Sequence, residues 1–141
     1  MTTMAALTLA EGAARGPLIA LGEPLSFWGG FDAATGRIID RRHPDCGRVL
    51  TGAILVMPAV RGSSSGSSVL AEAIRARTAP AGIIVAERDA ILPVGALVAS
   101  ALYGARCPIV LIAPAELGAL AAAAQARIVA ERAAEIEIDP A

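Results

Sequence analysis

The feature that most constrains this chain is a serine-rich segment near its centre, Val60–Val69. Five of the seven serines of the chain fall within positions 63 to 68. An apolar run, Val49–Pro58, precedes the segment, and a helix-like run, Val69–Arg77, follows it. A strand, a turn of small residues and a helix start, in that order, bring together backbone N–H groups, hydroxyls and the positive end of a helix dipole. The segment is therefore expected to bind an anion, and Arg61 adds a positive charge beside it.

Other interpretations of the serine-rich segment fit less well. A flexible connector is one alternative, but a strand-to-helix connection normally has about two to six residues and rarely carries five hydroxyls. The segment is no nucleotide-binding P-loop, because no Gly-Lys-Ser/Thr ends it. Gly62–Gly66 has the outline of a Gly-x-Ser-x-Gly elbow with Ser64 as nucleophile. Hydrolases with that elbow place their histidine after the serine, but the one histidine of this chain, His43, precedes it. We expect Ser67 or Ser68 to cap the helix that follows.

The apolar pattern predicts alternating strands and helices in one domain, 1–141. Hydrophobic residues make up 55% of the chain and aromatic residues 3%, so the core must consist of Ala, Val, Ile and Leu. Strands are predicted at Leu18–Leu21, Arg37–Asp40, Leu50–Met57, Gly82–Ala86, Pro108–Ile112 and Glu135–Asp139. Helices are predicted at Val69–Arg77, Pro93–Tyr103 and Glu116–Arg132. Continuous apolar strands between helices indicate an α/β fold with a mainly parallel sheet in the C-terminal half.

Charge and composition argue against several classes of function. The net charge is −1, which disfavours nucleic-acid binding through bulk charge. No run approaches 18 apolar residues, so we expect no membrane span. The N-terminus lacks a basic region before an apolar stretch, so we expect no secretory signal and a cytoplasmic protein. The two cysteines, Cys46 and Cys107, match no metal-ligand spacing, so we expect no metal site on this chain.

Three smaller clusters each allow two interpretations. Phe27–Phe31 holds three of the four aromatic residues and is either a local hydrophobic cluster or an interface or active-site lid. The arginines of Arg37–Arg48 surround His43; they form a solvated face or help to dock a substrate or subunit, and the histidine is expected to be structural. Glu87–Asp89 follows a buried strand at the same sheet end as the serines. These residues face solvent or contact the substrate, and we favour solvent.

Several segments together resemble the small, swivelling-domain subunit of the aconitase X enzymes. The resemblance extends from about Pro24 to Pro114, and its most specific part is the serine segment preceded by Arg-Gly. The matching segments are Leu25–Gly30, Gly36–Asp40, His43–Pro44, Pro58–Leu70 and Ala86–Glu87. The resemblance implies a swivelling β/β/α domain and a dehydratase that removes water from a hydroxy acid.

The resemblance also implies which groups do the chemistry. A large partner subunit would carry an iron–sulfur cluster whose iron polarises the leaving hydroxyl, and this chain would supply a serine base. In the wider superfamily that base is the serine directly after a glycine in this loop, which here is Ser63. The remaining residues of the loop would hold the substrate carboxylate and the oxyanion: Arg61, Gly62, Ser64, Ser65 and Gly66. The superfamily usually places its arginine after the serines, so Arg61 departs from that pattern.

Two substrates compete within the family. Bacterial members resemble cis-3-hydroxy-L-proline dehydratase, which forms a pyrroline carboxylate, and archaeal members resemble phosphomevalonate dehydratase. All twelve basic residues are Arg, which suggests a high-GC bacterium and favours hydroxyproline. A non-enzymatic anion-binding module is the alternative of another class. A phosphocarrier domain would need a histidine at a helix start, whereas His43 precedes Pro44 in a polar loop.

Overall fold

The computed structural model describes residues 2–131 and 134–140 of the chain. The strands are β1 (Thr2–Ala10), β2 (Gly12–Ala20), β3 (Leu25–Ser26), β4 (Phe31–Asp32), β5 (Arg37–Ile38), β6 (Ile54–Met57), β7 (Val60–Arg61), β8 (Gly82–Val85), β9 (Ile109–Leu111), β10 (Ala123–Ala130) and β11 (Ala134–Pro140). The helices are α1 (Phe27–Gly30), α2 (Gly66–Ala76), α3 (Ile91–Tyr103) and α4 (Leu117–Ala121), and a 3-10 turn covers Pro114–Glu116. No helix in the described ranges has both the length and the apolarity needed to cross a bilayer.

Seven strands close into a barrel in the order β1-β11-β10-β2-β6-β8-β9. The neighbours β2, β6, β8 and β9 run parallel to one another, whereas β10 and β11 pair antiparallel with each other and with β2 and β1. The sheet is therefore mixed. The expectation of a mainly parallel sheet in the C-terminal half was wrong, because the last two strands run back along the barrel instead of following crossover helices.

The parallel strands are buried on both faces, as their continuous apolar sequences predict. On β6, Ile54 and Val56 point into the barrel and pack near Ile128 of β10, while Leu55 and Met57 face α2 and α3. All four β6 residues are buried. Antiparallel strands, parallel strands and helices thus stack as three layers, which agrees with the β/β/α layering implied by the resemblance.

The ends of the sequence departed most from expectation. No strand was predicted before Leu18, yet β1 and most of β2 lie there. The helix predicted at Glu116–Arg132 was wrong over the described residues: α4 ends at Ala121 and β10 follows. On β10, Ala126, Ile128 and Ala130 are buried at alternate positions between two flanking strands. Ladder pairing and burial on both sides outweigh the helix propensity of the alanine run.

Helices α2 and α3 form where helices were predicted, although α2 begins three residues and α3 two residues earlier, and they lie against each other on the outside of the parallel strands. Their C-terminal ends are closed by left-handed residues, Arg77 after α2 and the predicted Gly104 after α3. A methyl group at Gly95 would collide with the backbone of Ser67, so the two helices touch through main chain at this point. This contact fixes the start of α2 beside the first turns of α3.

Candidate functional site

Strand pairing places the serine-rich segment beside the start of α1. The short strands β3 and β7 are parallel neighbours, with Ser26 opposite Arg61. The next residue, Gly62, has a φ of 98°, and a methyl group on it would collide with the Ser26 side chain. Glycine is therefore required at position 62 both for its backbone angle and for the close approach of Ser26. Ser26 was not named as a site residue from the sequence, since only the pairing of β3 with β7 brings it to the loop.

The hydroxyl of Ser63 lies on the surface at the carboxyl end of the parallel strands. Its Oγ accepts a hydrogen bond of 3.1 Å from the backbone N–H of Ser65, and its carbonyl accepts one of 3.0 Å from the N–H of Gly66. The backbone N–H groups of Ser63 and Ser64 donate to no described residue. A donor on Oγ stabilises negative charge on that oxygen, and two free N–H groups beside it can bind an anion.

The helix begins earlier than the sequence indicated. Its N-cap is Ser65, and α2 starts at Gly66, so the expectation of Ser67 or Ser68 as the cap was wrong. The Ser67 hydroxyl donates to the Ile91 carbonyl at 2.5 Å, and the Ser68 hydroxyl donates to the Ser65 carbonyl at 2.8 Å. These two hydroxyls tie the loop and the first turn of α2 in place, which leaves Ser63, Ser64 and Ser65 exposed.

The six residues predicted for the site are consecutive, from the end of β7 to the first residue of α2, and they differ in exposure. Arg61 is exposed, and its guanidinium pairs with no carboxylate of residues 2–131 or 134–140. Gly66 is buried, and a methyl group on it would lie 3.3 Å from Ile91 Cγ2 and 3.5 Å from Phe27 Cβ. The structure thus gives Gly66 a packing role, while its contact with substrate stays a prediction.

The phenylalanines of the aromatic segment form the predicted hydrophobic cluster, while an interface or lid role of its tryptophan stays a prediction. Phe27 and Phe31 are buried and stack with ring centroids 4.8 Å apart. Trp28 between them is 58% exposed, and the Ser26 hydroxyl donates to its carbonyl oxygen at 2.8 Å. The phenylalanines therefore anchor the segment in the core and hold the tryptophan at the surface near the serine loop.

The arginine-rich segment is organised by its own acidic and carbonyl groups. His43 is buried; its Nδ1 accepts from the Asp45 N–H at 3.0 Å, which leaves Nε2 to donate to the Glu23 carbonyl at 3.3 Å. Arg48 pairs with Asp45 at 3.2 Å, and Arg37 donates to the Gly47 carbonyl. Burial and hydrogen bonds on both ring nitrogens are consistent with the structural role that the sequence favours for this histidine.

Beside the serine loop, the segment after β8 also has a structural role. Asp89, one residue before the N-cap Ala90, accepts a hydrogen bond of 2.9 Å on Oδ2 from the Leu92 N–H in the first turn of α3, whereas Glu87 and Arg88 are exposed. Glu87 and Arg88 thus face solvent, as favoured from the sequence. Asp89 instead binds a free N–H group at the start of α3.

The cysteines do not fit an iron–sulfur cluster or another metal. Cys46 is exposed, and Cys107 is fully buried with its Sγ 3.5 Å from the Pro80 carbonyl. Burial raises the pKa of the Cys107 thiol to about 12, so it stays protonated at neutral pH. Among the described residues no three His, Cys, Asp or Glu side chains gather as metal ligands.

The site is open to solvent. Ser63 and Ser64 are both exposed. A serine base works only in a site from which water is excluded, and an open surface does not provide that. Fold and site together define a barrel-based α/β domain that exposes a loop of hydroxyls and backbone N–H groups at the carboxyl end of its parallel strands.

The particular family follows from comparison with known proteins. Residues 3–138 match the family model of the aconitase X swivel domain, and the chain belongs to that family. The holo-form crystal structure of Thermococcus kodakaraensis aconitase X superposes with a TM-score of 0.82 at 29% identity and covers 99% of each chain. The resemblance seen in the sequence is confirmed.

Two kinds of relative match the chain. It is 49% identical over 102 residues to Pseudomonas aeruginosa cis-3-hydroxy-L-proline dehydratase, covering 72% of this chain and 18% of that protein. It is 43% identical over 91 residues to the phosphomevalonate dehydratase small subunit of Methanothermobacter thermautotrophicus, covering 64% of this chain and 70% of that subunit. The chain thus spans about a fifth of the length of the hydroxyproline dehydratases that it matches.

Proposed function

We propose that this chain is the swivelling small part of an aconitase-type hydro-lyase and that Ser63 is its base. The observation that carries the proposal is the placement of Ser63 Oγ, which is exposed at the carboxyl end of the parallel strands and accepts the Ser65 N–H at 3.1 Å. Membership of the aconitase X swivel-domain family supports a dehydratase over a free-standing anion-binding module.

In the proposed reaction, Ser63 acts as the alkoxide: its Oγ takes the proton from the carbon that bears the substrate carboxylate and becomes a neutral hydroxyl. The C–H electron pair forms a double bond to the neighbouring carbon, and the C–O bond there breaks to release hydroxide. The proton on Ser63 then leaves with the released hydroxide as water, which restores the alkoxide. Negative charge builds up on the substrate carboxylate during proton removal. The free N–H groups of Ser63 and Ser64 and the guanidinium of Arg61 are the donors that this chain offers to that charge.

We assign the other half of the site to a larger partner. The open surface around Ser63 supports this, as does the small share of the hydroxyproline dehydratases that the chain spans. The phosphomevalonate dehydratase relatives are themselves named small subunits. Since the cysteines of this chain do not fit a cluster, we place the iron–sulfur cluster in that partner, together with the reception of the leaving hydroxide.

We propose cis-3-hydroxy-L-proline as the substrate, with a pyrroline-2-carboxylate as the product. The identity of 49% to the Pseudomonas protein over 102 residues supports this choice. Phosphomevalonate is the second candidate, because the chain is 54% identical over 71 residues to a small subunit of phosphomevalonate dehydratase from Methanopyrus kandleri. Both substrates carry a carboxylate for the serine cradle, so they share the proposed chemistry.

The test is to purify this chain with the large aconitase X subunit and to assay each acid for loss of water. We expect turnover of cis-3-hydroxy-L-proline, and a loss of about a thousandfold in the Ser63→Ala variant with the complex intact. Ser68→Ala is the matched control, because its hydroxyl bonds only to the Ser65 carbonyl. Near-normal turnover by Ser63→Ala would show that another group is the base. Tight binding of carboxylates by the isolated chain, with no turnover in the complex, would favour the anion-binding module.

A further inference from the structure

Helix α3 is apolar on both of its faces. From Ile91 to Tyr103 it contains no charged residue, and its polar groups are the hydroxyls of Ser100 and of Tyr103 at its last position. The inner face, with Leu92, Ala96 and Ala99, is buried on the sheet. A helix that is hydrophobic all round is normally buried all round.

Helix α3 carries more than half of the large hydrophobic residues that are exposed. Of the nine large hydrophobic residues exposed in the described ranges, five lie on this helix: Val94, Leu97, Val98, Leu102 and Tyr103. Leu97 is 58% exposed and Leu102 is 68% exposed. Val94, Leu97 and Val98 stand at the spacing of one helix face, and Leu102 continues it one turn further. We call Val94, Leu97, Val98 and Leu102 the outer apolar face; Tyr103 ends the helix on the side that faces α2. Several exposed hydrophobic residues on one helix face are typical of an interface, whereas single exposed hydrophobic residues are common on any surface.

A groove between α2 and α3 borders the outer apolar face. It has a volume of about 350 Å³ and is lined by Ser67, Ser68, Ala71, Glu72, Gly95, Val98 and Tyr103. The charged groups at its rim are paired locally, since Arg75 and Glu72 form a two-pronged ion pair on α2. A partner can therefore cover the groove and the face without burying an unpaired charge from this helix pair.

The outer apolar face is continuous with the serine loop. The Ser67 hydroxyl bonds to the Ile91 carbonyl at the start of α3, and Gly95 touches the backbone of Ser67. The Trp28 side of the loop reaches the same turn, because a methyl group on Gly66 would lie 3.8 Å from the Trp28 nitrogen. A partner that covers the serine loop can therefore extend over the first turns of α3.

We propose that the outer apolar face and its groove are the surface on which the large aconitase X subunit docks. This inference rests on the proposed function, in which a larger partner completes the site at Ser63. Two observations favour that occupant. The surface is continuous with the open serine loop, and the chain matches only about a fifth of the length of the related hydroxyproline dehydratases. A second copy of this chain is the competing occupant.

The experiment measures binding of this chain to the separately purified large aconitase X subunit. Leu97→Glu/Leu102→Glu places two charges on the outer apolar face, and we expect at least about a hundredfold weaker binding. Val49→Glu is the control, because Val49 is 44% exposed and leads into the opposite end of β6. It should bind like the parent chain. Thermal melting of each chain reports on its folding, and Leu97→Ser/Leu102→Ser serves as a milder second variant.

The outcomes separate this inference from the proposed function. Ser63→Ala should bind the large subunit normally, whichever reaction the complex catalyses. Unchanged binding and turnover by both double variants would overturn the docking surface and leave the proposed function standing. A parent chain that forms a dimer by sedimentation, and loses it only in the double variants, would assign the surface to a second copy and overturn the proposal. Normal docking without turnover of any hydroxy acid would support the surface while removing the proposed function.

Discussion

The backbone N–H of Ser65 donates a 3.1 Å hydrogen bond to Oγ of Ser63, the hydroxyl that we propose as the base. Ser65 is also the N-cap of α2, so the donor is fixed by the helix start. This arrangement leaves the Ser63 hydroxyl proton free to point elsewhere, and it favours negative charge on the oxygen when that proton leaves. Chemistry and helix initiation thus share one turn of the chain.

Ser63 and Ser64 should differ in the kinetic parameter that each one affects. Removal of the proposed base in Ser63→Ala should lower kcat by about a thousandfold with little change in KM, since the loss falls on the transition state. Ser64→Ala removes a predicted carboxylate contact and should mainly raise KM. The measurement is steady-state kinetics of the complex, which gives kcat and KM for each variant. The substrate is cis-3-hydroxy-L-proline deuterated at the carbon that loses its proton. Equal effects of the two variants on kcat would contradict the division of roles.

Gly62 and Ser26 should be energetically coupled. Gly62→Ala introduces a methyl group into the Ser26 side chain and strains a φ of 98°, so it should destabilise the fold by about 1–3 kcal/mol and reduce activity. Removing the opposing side chain in Gly62→Ala/Ser26→Gly relieves the collision but not the backbone strain. Urea unfolding of Gly62→Ala, Ser26→Gly and the double variant gives the coupling free energy between the two positions.

Gly22→Ala is the control for this cycle, because a methyl group there meets nothing within 4 Å. It should change stability by less than about 0.5 kcal/mol. Additive effects of the Gly62 and Ser26 changes would show that the collision is absent in solution.

The central strands could be predicted from sequence because their burial is continuous. In β6 and β8 all four positions are buried, so a short apolar run between turn residues is enough to identify them. The strand β10 could not be identified in this way. Its alanines favour a helix in isolation, and only pairing with β2 and β11 makes it a strand. Long-range pairing is the information that a single sequence lacks.

The same limit applies to the candidate site. The loop from Arg61 to Ser65 was found because hydroxyls concentrate there after an apolar strand, a local signal. Ser26 was missed because it lies 36 positions from Gly62 in the chain and meets it only through the pairing of β3 with β7. The docking surface on α3 had a local signal in its lack of charge, but the inner and outer faces can be separated only with the structure.

Asp89 should stabilise the start of α3. Its carboxylate accepts the Leu92 N–H at 2.9 Å, so Asp89→Ala should lower the free energy of unfolding by about 1 kcal/mol, and Asp89→Asn should keep most of it. Glu87→Ala, at an exposed position two residues earlier, is the matched control. If urea unfolding gives the same midpoint for the Asp89→Ala variant and the control, the hydrogen bond from the Leu92 N–H is not formed.

Arg61 should act on substrate binding through its charge. Its guanidinium is exposed and pairs with no described carboxylate, so it is available to an anion. Arg61→Ala should raise KM about tenfold or more, and Arg61→Lys should recover part of the loss, since a charged hydrogen bond is worth about 1.5–3 kcal/mol. Arg88→Ala, at another exposed arginine, should leave KM unchanged. A salt dependence of KM in the parent enzyme that survives in Arg61→Ala would place the anion contact elsewhere.

Cys107 should make the fold sensitive to alkali. Burial raises the pKa of its thiol from 9.0 to about 12, so between these values the unfolded chain loses the proton while the folded chain keeps it. The folded state then binds more protons than the unfolded state, and stability falls as pH rises through this window, by up to about 1.4 kcal/mol per pH unit. Below pH 9 the contribution of this thiol is constant.

The measurement is urea unfolding at several pH values from 8 to about 11, with dithiothreitol present. Cys107→Ala should lose stability at every pH from the missing sulfur, but its slope above pH 9 should be smaller than that of the parent. Cys46→Ala is the control, because that cysteine is exposed and should leave the parent slope unchanged. In the native chain at pH 8, iodoacetamide should label Cys46 and spare Cys107. Rapid labelling of Cys107 or identical slopes in the parent and Cys107→Ala would mean that the thiol reaches solvent without unfolding.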